Sequence, residues 1–421
     1  MGRARGRSRD HHPLTRVCVV GSGGREHALA EALARTADEV VVTPGNAGIP
    51  GSVATPPEEL DADLFVIGPE APLVDGLADR LRARGELVFG PGADGARLEG
   101  SKAWMKQVLV EAGVPTARHA AFTEAERAVA YLRTLVPPYV VKTDGLAAGK
   151  GVLVTESLDE AADDVAAKLA GRAFGDAGRT VVIEEGLSGP ELSVLCVCDG
   201  ARAVPLAPAQ DFKRLGDGDT GPNTGGMGAY SPVPVVGPRV VDVVVEQAVE
   251  PTLAALRGRG IDYRGVLYAG LMLTAEGPRV LEYNVRFGDP EAQVVLPRFV
   301  GDLAAFLAEA ARGRLRSEPR VRSDAAVTVV AAAEGYPTEP RTGDVIEGLG
   351  GIGADVFYAG VARDDAGRLV TAGGRVLAVT ALGETIAVAR DSAYEAIAHV
   401  SWPGMQYRND IAQLAAKEEV T

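Results

Sequence analysis

The segment Glu282-Tyr283-Asn284-Val285-Arg286-Phe287-Gly288-Asp289-Pro290-Glu291 carries the densest set of chemically capable side chains in the chain. Side chains alternate along a strand, so Glu282, Asn284 and Arg286 share one face. An anionic oxygen beside a neutral oxygen suits Mg²⁺, a hard cation that takes one or two protein ligands plus nucleotide phosphates. The neighbouring Arg286 is placed to neutralise charge on a transferring phosphoryl group. The plainer alternative is a solvated strand face with an Arg–Glu pair.

Lysine usage narrows the chemistry. Seven of the 43 basic residues are lysine (Lys102, Lys106, Lys142, Lys150, Lys168, Lys213 and Lys417), so arginine carries the generic surface charge. A lysine at a strand end or in a glycine loop then stands out, because a compact ammonium suits a phosphate as a point charge. Lys142 closes the apolar strand Tyr139-Val140-Val141, and Lys150 sits in Asp144-Gly145-Leu146-Ala147-Ala148-Gly149-Lys150-Gly151. Glycines around one lysine make a lid whose N–H groups can fold over a polyphosphate. The Walker pattern does not fit, since Gly follows Lys150 and a strand follows the loop. The run Val181-Val182-Ile183-Glu184-Glu185, with Glu191 beyond it, offers a strand edge and carboxylates able to accept from ribose hydroxyls. Taken alone, such glutamates are usually solvated.

A second phosphate signal is Gly21-Ser22-Gly23-Gly24, between an apolar strand and a helix, where N–H groups and the helix dipole favour an anion. A dinucleotide fingerprint needs a third glycine where Glu26 stands, and an acidic residue where Thr43-Pro44-Gly45 closes the second strand. A small phosphorylated ligand or a structural turn remains. His27 reads as packed or solvated more readily than catalytic. Cys18, Cys196 and Cys198 lack metal-ligand spacing and read as buried structural thiols.

Three α/β pieces are needed to hold these groups, in keeping with 421 residues at roughly 150 per domain. Strands Arg16–Val20, Val40–Val42, Leu64–Ile67 and Leu87–Phe89 alternate with helices Arg25–Ala34 and Leu77–Arg84, which predicts an N-terminal doubly wound parallel sheet over 14–115. A helix Lys102–Ala112 stops at Gly113 and Pro115. Over 116–312, with a lid at about 117–189, come strands Tyr139–Lys142, Gly151–Thr155 and Thr180–Glu184, the helix Ser157–Leu169, a hairpin of Tyr268–Thr274 with Arg279–Tyr283, and the helix Leu303–Ala311. Asp211–Tyr230 reads as one long functional loop. Gly313–Arg322 is a boundary before a mixed α/β domain over 323–421, which shows no reactive group of its own. Hydrophobic types at 46% and charged types at 24% exclude a disordered chain. A net charge of −14 argues against a general nucleic-acid binder. No apolar run is long enough for a bilayer, and the Arg-rich segment 1–10 lacks a hydrophobic signal core, so a cytoplasmic protein without membrane contact is expected.

Together these features resemble the ATP-grasp fold, and the chain is similar to the phosphoribosylamine–glycine ligase family of purine synthesis. The resemblance rests on Gly21-Ser22-Gly23-Gly24-Arg25-Glu26-His27-Ala28, Pro44-Gly45-Asn46-Ala47-Gly48, Gly68-Pro69-Glu70-Ala71-Pro72-Leu73, Leu98-Glu99-Gly100-Ser101-Lys102, Asp144–Gly151, Asp217–Tyr230 and Arg286–Glu291. Tyr336-Pro337 and Arg341–Ile346 echo it in the tail. It implies ATP-dependent joining of glycine to 5-phosphoribosylamine, giving glycinamide ribonucleotide, ADP and phosphate through a glycyl phosphate. It implies ATP phosphates on Lys102, Lys142 and Lys150, with Lys150 and Arg286 catalytic. Adenine would meet the backbone near Glu184, Glu185 and Leu187, ribose would meet Glu191, and Mg²⁺ (or Mn²⁺) would sit on Glu282 and Asn284. Gly21, Ser22, Gly23, Gly24 and Glu70 are expected to face phosphoribosylamine. Asp211, Lys213, Asp219, Thr220, Gly221, Pro222 and Asn223 are expected to close over the substrates. A monomer is expected.

Three departures accompany the resemblance. The stretch from Gly48 to Asp61 is shorter than usual, so a strand or helix of the first sheet is expected to be absent. The basic segment 1–10 is extra. Leu271-Met272-Leu273 is apolar where many ATP-grasp enzymes carry a further metal carboxylate, which leaves the number of metal ions open. The competing readings are an ATP-grasp carboxylase, a nicotinamide-dependent oxidoreductase, and a nucleotide-binding regulator that would not need Arg286.

Overall fold

The strand Arg16–Gly21 buries both of its faces: Cys18 and Val20 enter one apolar cluster, Val17 and Val19 another. Such a strand belongs in a sheet covered on both sides. In the computed structural model, which describes residues 16–146, 151–171, 179–237 and 239–419, it is one of four parallel strands. Their order is Glu39–Pro44, Arg16–Gly21, Leu64–Ile67, Val88–Phe89. The expected doubly wound sheet is present. Its order reverses between Arg16–Gly21 and Leu64–Ile67, and ligands of such sheets bind beyond the carboxyl ends of the strands at that switch. Gly21–Gly24 and Gly68–Glu70 both leave from it. The link from Glu39–Pro44 to Leu64–Ile67 carries one 3-10 turn, Pro57–Glu59, and no α-helix.

A second sheet is antiparallel throughout, in the order His119–Phe122, Val181–Glu185, Tyr139–Thr143, Val152–Thr155. Helices Ala125–Leu132 and Leu158–Leu169 cover one face, against Val141 and Ile183. Ser157 caps the second helix as expected, accepting from the Glu160 N–H at 3.2 Å. Since Val141 and Ile183 point into that core, Lys142 and Glu184 project from the opposite face. That face looks toward a third sheet, ordered Ala203–Pro205, Glu191–Asp199, Arg264–Thr274, Gly277–Asn284. The last two strands form the expected hairpin, with Thr274 opposite Gly277.

Two expectations need correction. The stretch expected as one loop holds strands Gln210–Asp211, Arg214–Gly216, Thr220–Asn223 and Gly228–Ser231. Its residues carry no alternating apolar pattern, so the partner strands rather than local periodicity decide the pairing. Gln210–Asp211 and Gly228–Ser231 then join Ala325–Ala332, Arg375–Gly383 and Asp355–Tyr358 in a five-stranded antiparallel sheet. The middle of the chain and its tail therefore share a sheet. The helical run Val240–Val244, Val245–Val249, Glu250–Gly258 was not expected from the sequence; its central π turn precedes Pro251, which cannot donate to the ladder. Among the described residues no helix is long and apolar enough to cross a membrane.

Candidate active site

Two lysines share one carboxylate between the second and third sheets. Glu184 Oε2 lies 3.0 Å from Lys106 Nζ, and Oε1 lies 2.9 Å from Lys142 Nζ, all three side chains being buried. Burial works against ionisation of Glu184, but Lys142 and Lys106 outweigh it and hold the carboxyl below its ordinary range. Lys106 pays in return, its ammonium pushed by burial down to about 8 despite Glu184. Lys142 also donates to the Leu281 carbonyl at 3.2 Å, which ties the lid sheet to the strand carrying Glu282 and Asn284. Lys102 donates to the Gly145 carbonyl at 3.0 Å, and Glu282, Lys142 and Asp144 all act on it electrostatically. Glu282 is buried in charge: Lys213, Lys142, Lys102 and Arg286 overcome the desolvation of its carboxyl and keep it low.

Arg286 is the hub of the neighbouring cluster. Its Nη2 donates to Glu99 Oε1 at 2.6 Å and to Asn284 Oδ1 at 3.0 Å, and its Nε lies 3.3 Å from Glu70 Oε2. Glu99 also accepts from the Val285 N–H at 2.8 Å. Desolvation disfavours the guanidinium, yet Glu99 and Glu70 more than offset it and hold Arg286 charged. The sequence pattern that put Glu282, Asn284 and Arg286 on one face thus matches the geometry for the last two through a direct bond.

A third group contains Glu191, Asp211 and Lys213. Lys213 Nζ binds Glu191 Oε2 and stands 3.4 Å from Asp211 Oδ1. Burial pushes the Asp211 carboxyl up to about 7, with Lys213 opposing and Glu291 and Glu191 adding to the rise. Lys213 in turn bears on Glu282, so this group adjoins the first.

The glycine turn of the first sheet is built around Glu26. Its Oε2 accepts from the Gly23 N–H at 2.6 Å, and the side chain fills the space beside Gly21 and Gly68. A Cβ on Gly68 would lie 2.1 Å from Glu26 Oε1, so the position that would be glycine in a dinucleotide site is here a packed carboxylate. Gly24 is buried, Gly23 half-buried and Ser22 exposed. Arg25 pairs with Glu26 at 2.6 Å and donates to the Phe287 carbonyl at 3.1 Å, joining this turn to the Arg286 segment. Glu70, at the start of helix Glu70–Val74, is held low because Arg286 and Arg25 outweigh its burial.

The remaining positions are more peripheral. Glu185 Oε1 accepts from the Arg118 N–H at 2.8 Å, and Leu187 is half-buried in the turn after the strand. Asp219, at φ 56°, is gripped by Arg408 at 2.7 Å, and Thr220, Gly221 and Pro222 are exposed in a hairpin with Asn223 at its base. Lys150 lies outside the described residues. Lys106, Glu99, Arg25 and Glu291 were not singled out from the sequence. Lys106 had a usable signal, standing four residues after Lys102 on one helix and so on the same face. The tail supplies charge after all: Arg375 lies 3.0 Å from Asp289 and donates to the Gly225 carbonyl at 2.6 Å. His27 is packed, as expected, with Nδ1 accepting from the Tyr358 N–H at 2.9 Å. The three cysteines are free and buried, with the Cys18 and Cys196 thiols pushed by burial up to about 12.

Among the described residues, no group of three or more His, Cys, Asp or Glu side chains is arranged to hold a metal ion. An ionised Glu282 with the Asn284 oxygen two residues away is instead the donor set of a cation that takes its other ligands from a polyanion. The ring of lysines around Glu282 is consistent with such a polyanion.

Comparison with known proteins gives the family. The chain matches the N domain of phosphoribosylglycinamide synthetase over residues 15–99, its ATP-grasp (A) domain over 100–292 and its C domain over 326–414. A phosphoribosylamine–glycine ligase of Xanthomonas axonopodis pv. citri is 48% identical over 429 residues, covering 96% of this chain and 99% of the relative. That of Streptomyces coelicolor is 49% identical, covering 95% and 99%. The crystal structure of the phosphoribosylamine–glycine ligase of Thermotoga maritima has a TM-score of 0.85 at 40% identity, covering 94% of this chain and all of that one. The biotin carboxylase domain of a Hydrogenobacter thermophilus 2-oxoglutarate carboxylase, with a TM-score of 0.71 at 17% identity over 94% and 92% of the two chains, shares the fold alone. With a parallel-sheet N-terminal domain, an ATP-grasp domain and a C-terminal domain in that order, the chain belongs to the phosphoribosylamine–glycine ligase family.

Proposed function

We propose that the protein joins glycine to 5-phosphoribosylamine with ATP, giving glycinamide ribonucleotide, ADP and phosphate. The observation that carries this is the convergence of Lys102, Lys142, Glu282, Asn284 and Arg286 between two sheets. A carboxylate is a poor acyl donor because oxide would have to leave. Transfer of the γ-phosphoryl group to the glycine carboxylate gives glycyl phosphate and ADP. The amine of phosphoribosylamine then attacks the carbonyl, and phosphate leaves.

In this reading Lys102 and Lys142, with Lys150 from the lid, contact the ATP phosphates. The backbone from Glu184 through Glu185 to Leu187 meets adenine. The strand Val181–Glu185 is paired on both sides, so the peptide groups at the turn after it are the ones available to a base. Glu191 accepts from ribose. Glu282 and Asn284 hold Mg²⁺ (or Mn²⁺), which supplies neutralisation of phosphate charge. Arg286, already fixed by Glu99, stabilises charge on the phosphoryl group in transit. Gly21, Ser22, Gly23 and Gly24 offer N–H groups at a helix start to the phosphate of phosphoribosylamine, with Glu70 alongside. Asp211 and Lys213 enclose the substrates, and Asp219 with Thr220, Gly221, Pro222 and Asn223 forms the outer flap, anchored by Arg408. The protein acts as a cytoplasmic monomer.

The test is coupled ADP release with phosphoribosylamine generated in place. Release that depends on glycine supports the reading; release indifferent to glycine, or dependent on bicarbonate instead, refutes it.

A further inference from the structure

The turn Asp217-Gly218-Asp219 carries no apolar side chain, and all three residues are exposed. It closes the hairpin of Arg214–Gly216 with Thr220–Asn223, and a two-stranded hairpin is marginal on its own. Asp219 stands at φ 56°, in the left-handed region that strains a residue with a Cβ. Burial therefore does not hold this turn, and bonds from elsewhere must.

Those bonds come from the far end of the chain. Asn409 donates its backbone N–H to Asp217 Oδ1 at 2.7 Å and its side-chain amide to Asp217 Oδ2 at 2.9 Å. Asp410 Oδ2 accepts from the Gly218 N–H at 2.8 Å. Arg408 donates to Asp219 Oδ1 at 2.7 Å and to the Arg214 carbonyl at 3.2 Å. The Arg408 side chain is buried although its partner Asp219 is exposed. Asp410 grips it through two bonds of 2.7 Å, a fork that fixes the plane of the guanidinium. Desolvation disfavours the cation, and the bonds to Asp410 and Asp219 more than offset it.

The clasp also reaches the root of the flap. The Arg408 guanidinium lies 4.8 Å from the centroid of the Phe212 ring, and Phe212 stands between Asp211 and Lys213 in the chain. Lys213 closes the base of the hairpin, its carbonyl accepting from the Thr224 N–H at 2.8 Å and from Thr224 Oγ1 at 2.9 Å. One side chain from the C-terminal domain thus touches the tip, the stem and the root of the flap.

We propose that Arg408 is a positioning residue which, with Asn409 and Asp410, keeps the flap shut over the activated glycine and so reserves it for the amine rather than for water. This rests on the ligase reading above and adds what the C-terminal domain contributes to it. The competing step is hydrolysis. Water attacks the carbonyl carbon of glycyl phosphate, the carbon–oxygen bond to phosphate breaks, and glycine and phosphate are released. One proton of the water stays on phosphate and the other passes to solvent. Keeping water from a reactive acyl intermediate is what an enclosed site supplies.

The experiment counts ADP against glycinamide ribonucleotide for wild type, Arg408→Lys, Arg408→Met and Asn409→Ala, with urea midpoints measured alongside. Wild type should release one ADP for each glycinamide ribonucleotide. Arg408→Lys keeps the charge but loses the fork, and should release at least about two, the excess appearing as hydrolysed ATP. Arg408→Met should exceed it. Asn409→Ala, at an exposed position, should shift the ratio in the same direction by less. A merely structural loss lowers the number of working molecules and leaves the ratio at one. A ratio of one in Asn409→Ala and in every Arg408 variant that folds would overturn the proposal. ADP release by wild type that ignores glycine would instead refute the ligase reading itself.

Discussion

Glu99 and Arg286, 187 residues apart in the chain, meet at 2.6 Å, and Glu99 also takes the Val285 N–H at 2.8 Å. The carboxylate therefore fixes both the guanidinium and the backbone beside it. If Arg286 acts on the phosphoryl group only during transfer, Arg286→Ala should lower kcat by about 10²–10³ while the ATP KM moves little. Glu99→Gln, which keeps the shape but loosens the grip, should show a smaller loss of the same kind. Steady-state kinetics with ATP varied separates the two parameters, and equal losses in both would contradict the assigned role.

Lys106 makes stability depend on pH in a defined direction. Its folded-state value of about 8 lies below the ordinary lysine value of 10.5, so between those limits the unfolded chain binds the extra proton. Stability from this residue must then rise as pH goes from about 8 to about 10.5, and its cost is fully present below 8. In Lys106→Met that rise disappears, while Glu184 keeps Lys142 as a partner. Urea midpoints of both proteins across this window measure the difference, and parallel curves would show that Lys106 is charged throughout.

Glu282 is kept ionised by Lys213, Lys142, Lys102 and Arg286 despite its burial. Glu282→Gln removes the charged oxygen of the proposed cation site with almost no change of volume. The Mg²⁺ concentration for half-maximal turnover should rise by at least about tenfold, a factor worth only ~1.4 kcal/mol. Titration of activity with Mg²⁺ at saturating ATP reads this directly; an unshifted curve would place the cation elsewhere.

His27 couples the glycine turn to the tail. A backbone N–H can only donate, so His27 Nδ1 accepts from Tyr358, and the ring hydrogen sits on Nε2, 3.2 Å from Glu31. Asn46 reinforces the joint by donating to the Ser22 carbonyl at 2.8 Å and the Ala359 carbonyl at 3.0 Å. His27→Phe leaves the Tyr358 N–H without an acceptor and should cost about 1–3 kcal/mol of stability. The phosphoribosylamine KM should rise more than the ATP KM, because the disturbed turn belongs to the first sheet.

The parallel first sheet was legible because apolar strands, a glycine turn and a helix follow each other with little interruption. Glu282, Asn284 and Arg286 were legible because strand alternation is a strict geometric rule. The pairing of Lys106 with Glu184, 78 residues apart, was not, since no local pattern records which buried charges meet across two sheets. The strands within Asp211–Tyr230 are illegible in the sequence for a related reason. Thr220-Gly221-Pro222-Asn223 carries no apolar alternation, and its strand character comes from pairing with Arg214–Gly216. Arg375 escaped notice because its partners, Asp289 and Gly225, lie in another domain.

Glycine labelled with ¹⁸O in its carboxylate tests the acyl phosphate step most directly. Phosphorylation joins a carboxylate oxygen to phosphorus, and attack by the amine breaks the carbon–oxygen bond, so that oxygen departs with the phosphate. Mass spectrometry of the released phosphate should find one label per molecule formed. Unlabelled phosphate alongside glycinamide ribonucleotide would contradict activation of glycine by ATP.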